Sequence, residues 1–212
     1  MNREETILKN IIGPTILHIG CAGHQVTPES PYWLHEQLHK HFPELFGIDI
    51  SQENLDRMGQ LGYKNLFCQS AENFQFDFKF DTIIAGELIE HLSNPGLLLN
   101  RSRLNLKPGG RLIITTPNPF SLLNNWYALL KFPRTCQNPE HTTWFCIETL
   151  SNLASRYQFK MSKYYLVKNY KMDDPSWKYR LFARGILFLA PVLPKLWSSN
   201  TFVFILETET ED

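Results

Sequence analysis

The sequence lacks a long hydrophobic run. Its most apolar stretch, Gly185 to Pro194, spans ten residues and is broken by prolines. A bilayer-spanning helix needs about 20 apolar residues, so none is expected here. Paired cysteines are also missing. Cys21, Cys68, Cys136 and Cys146 form no CxxC motif, and a chain of 212 residues builds a core without disulfide staples, so reduced thiols and a cytoplasmic setting are expected. There is no excess of charge: Lys plus Arg and Asp plus Glu both number 21. That balance lacks the broad basic footprint of a nucleic-acid binder, and no nucleic-acid partner is expected. The segment Met1 to Lys9 has no apolar centre and does not read as a signal peptide. His35, His39 and His41 fall on a polar helix face, with no supporting motif such as HExxH, so no metal is expected. Repeats and low-complexity tracts are absent.

What is present is an alternation of short apolar runs and longer amphipathic segments. Thr15 to Ile19, Leu45 to Ile48, Asn65 to Cys68, Asp81 to Ala85 and Arg111 to Thr116 read as strands. Leu34 to His41, Ser51 to Leu61 and Pro95 to Leu106 read as helices, and Lys107 to Gly110 as a turn. This alternation implies βαβ units and a parallel sheet. In such a sheet ligands bind where loops leave the strand C-termini. Those loops are 20–24, 49–51, 69–72, 86–91 and 116–120. Further on, Ile147 to Tyr157 reads as a helix, Lys160 to Val167 as a strand, Asp174 to Leu196 as an aromatic-rich helical insert, and Thr201 to Glu207 as a last strand. The acidic tail, Glu207 to Asp212, reads as frayed.

Several loop residues have chemistry that suits a nucleoside ligand. In His18-Ile19-Gly20-Cys21-Ala22-Gly23-His24, a glycine after a strand lets backbone approach a ligand, although an ordinary strand-to-helix turn looks the same. Asp49 ends the second strand, where a carboxylate can accept hydrogen bonds from ribose hydroxyls or simply complement a helix dipole. Ser70-Ala71-Glu72 follows the third strand. Phe80 to Leu92 (FDTIIAGELIEHL) covers the fourth, and Leu106 to Asn118 (LKPGGRLIITTPN) leads through the fifth.

With these pieces in this order, residues 14 to 120 resemble the class I S-adenosylmethionine-dependent methyltransferases. The likeness is to their small-molecule branch, which includes the ubiquinone-biosynthesis O-methyltransferases. The resemblance implies a Rossmann-like, three-layer α/β sandwich with a mostly parallel seven-stranded sheet and an antiparallel last strand. It implies a single domain over 1–212, with a cofactor core over 1–120 and acceptor-side elements and a helical insert over 121–200. It implies S-adenosylmethionine as cofactor. Gly20, Cys21 and Ala22 would line its methionine part, with His18 contributing through water in place of the family's acid. Asp49 would take the ribose, Ile50 would pack on the adenine, Ser70 and Ala71 would meet the adenine edge, and Gly86 and Glu87 would lie beside the sulfonium. The first motif departs from the family at His18, Ala22 and His24, and the third at Ser70.

Glu87, Glu90 and His91 share one face if their segment is helical. His91, Glu87 and His141 are the candidate catalytic groups, a histidine being suited to proton transfer near neutral pH. Each histidine also has an ordinary structural reading as a loop anchor. The acceptor pocket is expected among Glu87, His91, Asn118, His141 and Trp144. The acceptor is expected to be a small molecule, a lipid intermediate or a saccharide, methylated on oxygen. A non-catalytic binding module of the same fold and a dinucleotide-dependent oxidoreductase are the alternatives, the second opposed by the GELIEHL and LKPGG elements. The insert reads as a helix packed on the sheet or on a second copy of the chain, or as a cap for a lipid-like acceptor or a membrane surface.

Overall fold

A computed structural model describes residues 2–23, 26–28, 30, 32–131 and 138–208. His24, Cys136 and the tail beyond Thr208 lie outside the described residues. Seven strands form one sheet: β1 (Ile16–Ile19), β2 (Phe46–Asp49), β3 (Leu66–Cys68), β4 (Phe80–Gly86), β5 (Leu106–Pro117), β6 (Phe159–Val167) and β7 (Thr201–Thr208). The order across the sheet is β3-β2-β1-β4-β5-β7-β6. The first five strands run parallel, and β7 lies antiparallel between β5 and β6. The three-layer sandwich expected from the sequence is thus present.

Strand alternation sorts the core onto two faces. Leu17, Ile19, Ile83 and Ala85 pack with Leu98, Leu99 and Leu150 on one side. These come from α4 (Pro95–Asn105) and α6 (Ile147–Ser155). Ile16, Ile84, Ile113, Val203 and Ile205 pack with Ile7, Leu34 and Leu38 on the other. Those come from α1 (Arg3–Asn10) and α2 (Leu34–His39). Asn2 and Glu5 close a capping box on α1, so a segment read from sequence only as charged is a helix that buries Arg3, Thr6, Ile7 and Asn10. α3 (Gln52–Gln60) is capped by the Ser51 hydroxyl.

Two sequence readings are corrected here. Lys107 to Gly110 is not a turn between elements but a bulge inside β5. Leu106 pairs with Phe80 and Arg111 with Thr82, so the four residues 107–110 stand opposite Asp81 alone. Gly109 supplies the positive φ of +73° that this bulge requires. Lys107 Nζ then sits 2.9 Å from both oxygens of Asp81, whose Oδ2 also accepts the Thr15 N–H. The insert is likewise not one helix. It comprises α7 (Trp177–Leu189) and α8 (Lys195–Ser198), separated by Pro191 and Pro194.

α7 packs on α5 (Leu122–Lys131), Trp126 stacking on Phe182 at 5.8 Å. Between them lies an apolar groove of about 920 Å³ lined by Leu123, Trp126, Leu130, Trp177, Leu181 and Phe182. No helix among the described residues is long and apolar enough to cross a membrane.

Candidate functional site

The C-terminal ends of the parallel strands converge on a cleft of about 590 Å³, a size typical of small-ligand sites. Its first wall is the loop after β1. Gly20, at φ +72°, turns the chain so that its N–H and that of Cys21 both donate to Ile48 O, at 2.8 and 3.1 Å. A Cβ on Gly20 would sit 3.3 Å from the Leu88 side chain. Asp49 closes the same corner. Its Oδ2 accepts the Ala22 N–H and its Oδ1 the Ser51 N–H, each at 3.0 Å. Asp49 is therefore not the exposed acid its sequence position suggests: it is 8% exposed and ties the glycine loop to β2. Each oxygen has lone-pair capacity left for a ligand. Next to it Ile50 is 76% exposed, an apolar surface presented to the cleft.

β4 supplies the floor. Beyond Gly86 the chain does not continue as a helix. Glu87 adopts φ +51°, and only residues 89–91 form a short 3-10 turn. A non-glycine residue in the left-handed region costs about 1 kcal/mol or more and persists only where its surroundings fix it. Here Thr115 does so. Its carbonyl accepts the Glu87 N–H at 2.9 Å, and its hydroxyl donates to Glu87 Oε1 at 3.0 Å. Burial pushes the Glu87 carboxyl above the ordinary range, opposed by Arg3, which α1 brings close.

The expected site residues divide by location. Gly20, Asp49, Ile50, Ser70, Ala71, Gly86, Glu87 and His91 line the cleft. His18, Cys21, Ala22 and His141 do not. His18 faces α2 because Leu17 and Ile19 on either side face α4, and its Nδ1 lies 3.2 Å from that of His35. Burial, then His35 and Arg3, hold His18 well below the ordinary imidazole range, and burial with His39 draws His35 down to about 3. His35 is thus fully buried, not on a polar helix face. Cys21 and Ala22 contribute backbone and pack beneath the loop, Cys21 O accepting the Trp33 indole N–H at 3.0 Å. Asn118 is not a pocket wall either. It is fully buried, with its amide donating to Leu196 O and Ser199 O at 2.7 and 2.8 Å.

His141 stands edge-on to His91, ring centres 4.7 Å apart, with Trp144 edge-on behind it at 5.8 Å. Burial, then the neighbouring His91, lowers the His141 pKa. Glu140 lines the cleft mouth, its carboxylate 3.8 Å from His91 Nδ1. Glu90, one residue before His91, is fully buried. Leu88, Leu92, Gln69 and Glu140 line the cleft without having been singled out in the sequence. Their proximity follows from the strand order, to which motif spacing along the chain is only an indirect guide.

Comparison with known proteins fits this geometry. The methyltransferase-domain family matches residues 3–164. A ubiquinone biosynthesis O-methyltransferase of Coxiella burnetii is 32% identical over 113 residues, which are 50% of this chain and 44% of that protein. The chain thus spans under half the length of that curated relative. A methyltransferase from Archaeoglobus fulgidus, described as S-adenosylmethionine-dependent, superposes with a TM-score of 0.65 at 18% identity, covering 97% of this chain and 91% of that one. The N-methyltransferase NodS of Bradyrhizobium japonicum, solved with S-adenosyl-L-homocysteine, gives 0.57 at 14% identity, covering 98% and 86%. With the family matched over most of its length and its seven-stranded fold in place, the chain belongs to the methyltransferase-domain family, the S-adenosylmethionine-dependent methyltransferases.

Proposed function

We propose that this chain transfers the methyl group of S-adenosylmethionine to an oxygen of a small-molecule acceptor with an apolar body. The observation that carries this reading is the convergence of Gly20, Asp49, Gly86 and Glu87 on one cleft. The cofactor supplies an electrophilic methyl on a sulfonium, open to direct in-line displacement. Asp49 would hold the ribose hydroxyls with its remaining lone pairs, Ile50 would cover the adenine, and Ser70 and Ala71 would meet its edge. The Gly20 loop leaves room for the methionine backbone. Glu87, fixed by Thr115, presents a carboxyl near the reacting methyl. His91 at the cleft wall receives the acceptor proton. Orientation and exclusion of water do most of the remaining work.

The oxygen acceptor is favoured by the O-methyltransferases among the relatives, and the apolar body by the groove between α5 and α7. We read that groove as an extension of the acceptor side of the cleft. α5 follows the C-terminal end of β5, and Lys171, ahead of α7, is near enough to Glu87 to oppose its raised pKa. The apolar lining speaks for a lipid-like acceptor over a saccharide.

Titration calorimetry with S-adenosylhomocysteine tests the site. Hydrogen bonds to a charged acceptor are worth roughly 1.5–3 kcal/mol each, so Asp49→Ala should weaken binding at least about tenfold. It should also lower the melting temperature, because the Ala22 and Ser51 amides lose their acceptor. Asp49→Asn should be intermediate in both. Unchanged affinity in a folded Asp49→Ala protein would remove the ribose role and with it this placement of the nucleoside in the cleft.

A further inference from the structure

α7 is apolar on two faces. Its inward face buries Ala183 and Ile186 in a cluster with Tyr170 and with Leu122 and Leu123 of α5. The helical repeat puts Trp177, Leu181, Arg184 and Phe188 on one stripe along the opposite side. All four are exposed, Phe188 by 84%, and Val192 in the turn that follows is exposed by 80%. A helix that is apolar all round belongs in a core or against lipid, not in water. The exposed Leu130 of α5 shares a groove lining with Trp177 and Leu181, so this surface is continuous across the two helices. An apolar concentration of this kind marks an interaction site, where one exposed leucine would not.

The face is basic as well as apolar. Residues 175–198 include Lys178, Arg180, Arg184 and Lys195 and no aspartate or glutamate, although the charges of the whole chain balance. Lys178, Arg184 and Lys195 are exposed, and no acid among the described residues pairs with them. α5 adds Lys131 and no acid. These charges decide what covers the face. A symmetric dimer would set the patch on its own copy, basic against basic, with no acid to answer. No helix among the described residues is long and apolar enough to cross a bilayer. A helix of thirteen residues with cations beside exposed apolar groups suits the plane of a membrane interface instead. Exposed Trp126, Trp177 and Trp197 are of the residue type enriched at that depth.

The face is fixed to the sheet at the end where the cleft lies. The insert leaves β6 at Val167 and rejoins the sheet at Thr201, which pairs with Val167 and with Pro117, the C-terminal end of β5. Just beyond Pro117, the Asn118 amide holds Leu196 O and Ser199 O. Asn200 exchanges two hydrogen bonds with the backbone of Asn169, at 2.6 and 2.9 Å. Both ends of the insert are thereby tied down. We propose that the exposed face of α7, with α5 and the turn at Val192, docks on the surface of an anionic phospholipid bilayer. Phe188 and Val192 enter the boundary between headgroups and acyl chains, while Arg184 and Lys195 meet lipid phosphates. The inference stands whether or not the acceptor is lipid-like.

The test is co-sedimentation of the full chain with vesicles of equimolar phosphatidylglycerol and phosphatidylcholine, against phosphatidylcholine alone. Binding is expected to the anionic vesicles, weakening as salt screens the charges. Phe188→Ser/Val192→Ser and Arg184→Glu/Lys195→Glu should each lower the partition coefficient at least about tenfold, with melting curves to confirm that both fold. Leu104→Ser, at an exposed apolar position on α4, should bind like the wild type. Quenching of tryptophan fluorescence by lipids brominated on the acyl chain reads insertion in the wild type and needs no variant. Absence of binding to anionic vesicles, undiminished binding in either double variant, or binding without quenching overturns the proposal. So does a dimer in sedimentation velocity that Phe188→Ser/Val192→Ser dissolves while vesicles are ignored, since a second copy then covers the face.

Discussion

Lowering the pH should destabilise the fold through one buried pair. His18 and His35 are fully or nearly fully buried and in contact, Nδ1 to Nδ1 at 3.2 Å. Both have folded-state pKa values below the unfolded value, His35 at about 3. The unfolded chain therefore binds protons first. The stability these residues allow is complete above the unfolded value and is lost as pH falls from there toward the folded values. An unfolded histidine titrates near 6.5. Going from pH 7.5 to 5.5 then costs about 1.4 kcal/mol per imidazole, roughly 2.7 kcal/mol for the pair. At about 2–4 °C per kcal/mol for a chain of this size, the melting temperature should fall by roughly 5–11 °C. Glu87 and Glu90, held above the ordinary carboxyl range, act in the opposite sense as pH falls, so the raw slope is a composite. The comparison that isolates the pair is wild type against His18→Phe/His35→Phe, each unfolded in urea at half-unit steps of pH. The carboxyl contribution is common to both and cancels in the difference. The variant should lose most of the acid sensitivity between pH 7 and 5, whatever its absolute stability. Parallel curves for the two proteins would refute the reasoning.

Two further outcomes check the packing. Asp81→Asn should lower stability by on the order of 1 kcal/mol, a small effect because the Lys107 partner is 41% exposed. Burial pushes the Asp81 carboxyl up, but Lys107 and Thr15 outweigh it and hold it low, so the loss should be full at neutral pH and shrink as pH falls below the ordinary carboxyl range, as read from melting curves at pH 7 and at successively lower pH. Gly96→Ala would place a methyl 2.1 Å from Tyr157 Oη, and overpacking of this kind costs about 1–3 kcal/mol. S-adenosylhomocysteine affinity should be unchanged there, because neither residue lines the cleft.

β1, β2 and β4 were legible because each is an apolar run closed by glycine or an acid, and those closing residues line the cleft. Gly20, Asp49 and Gly86 needed no structure to be placed at strand ends. What was not legible depended on partners distant in sequence. His18 looked like a cleft residue until strand alternation turned it toward α2. Asp49 looked exposed until the Ala22 amide closed over it. Lys107 to Gly110 has the composition of a turn, and only the pairing of Leu106 with Phe80 shows that the strand has already begun. Glu90 looked like one more acid on a helix face. Its burial appears only when the 3-10 turn replaces that helix and Thr142 brings the following loop down over it.

The position of β7 has a consequence for how the chain is made. β6 pairs with β7 and with no other described strand, yet it precedes β7 in sequence. During synthesis β6 must therefore emerge and wait, its hydrogen-bonding edge unpaired, until Thr201 to Thr208 arrive. β5 waits too, with one edge bare against the place β7 will fill. Two open edges on a half-built sheet are templates for the wrong partner. The hazard is greatest in the interval before the segment Phe202 to Leu206, five buried apolar residues in a row, slides between them and closes both at once.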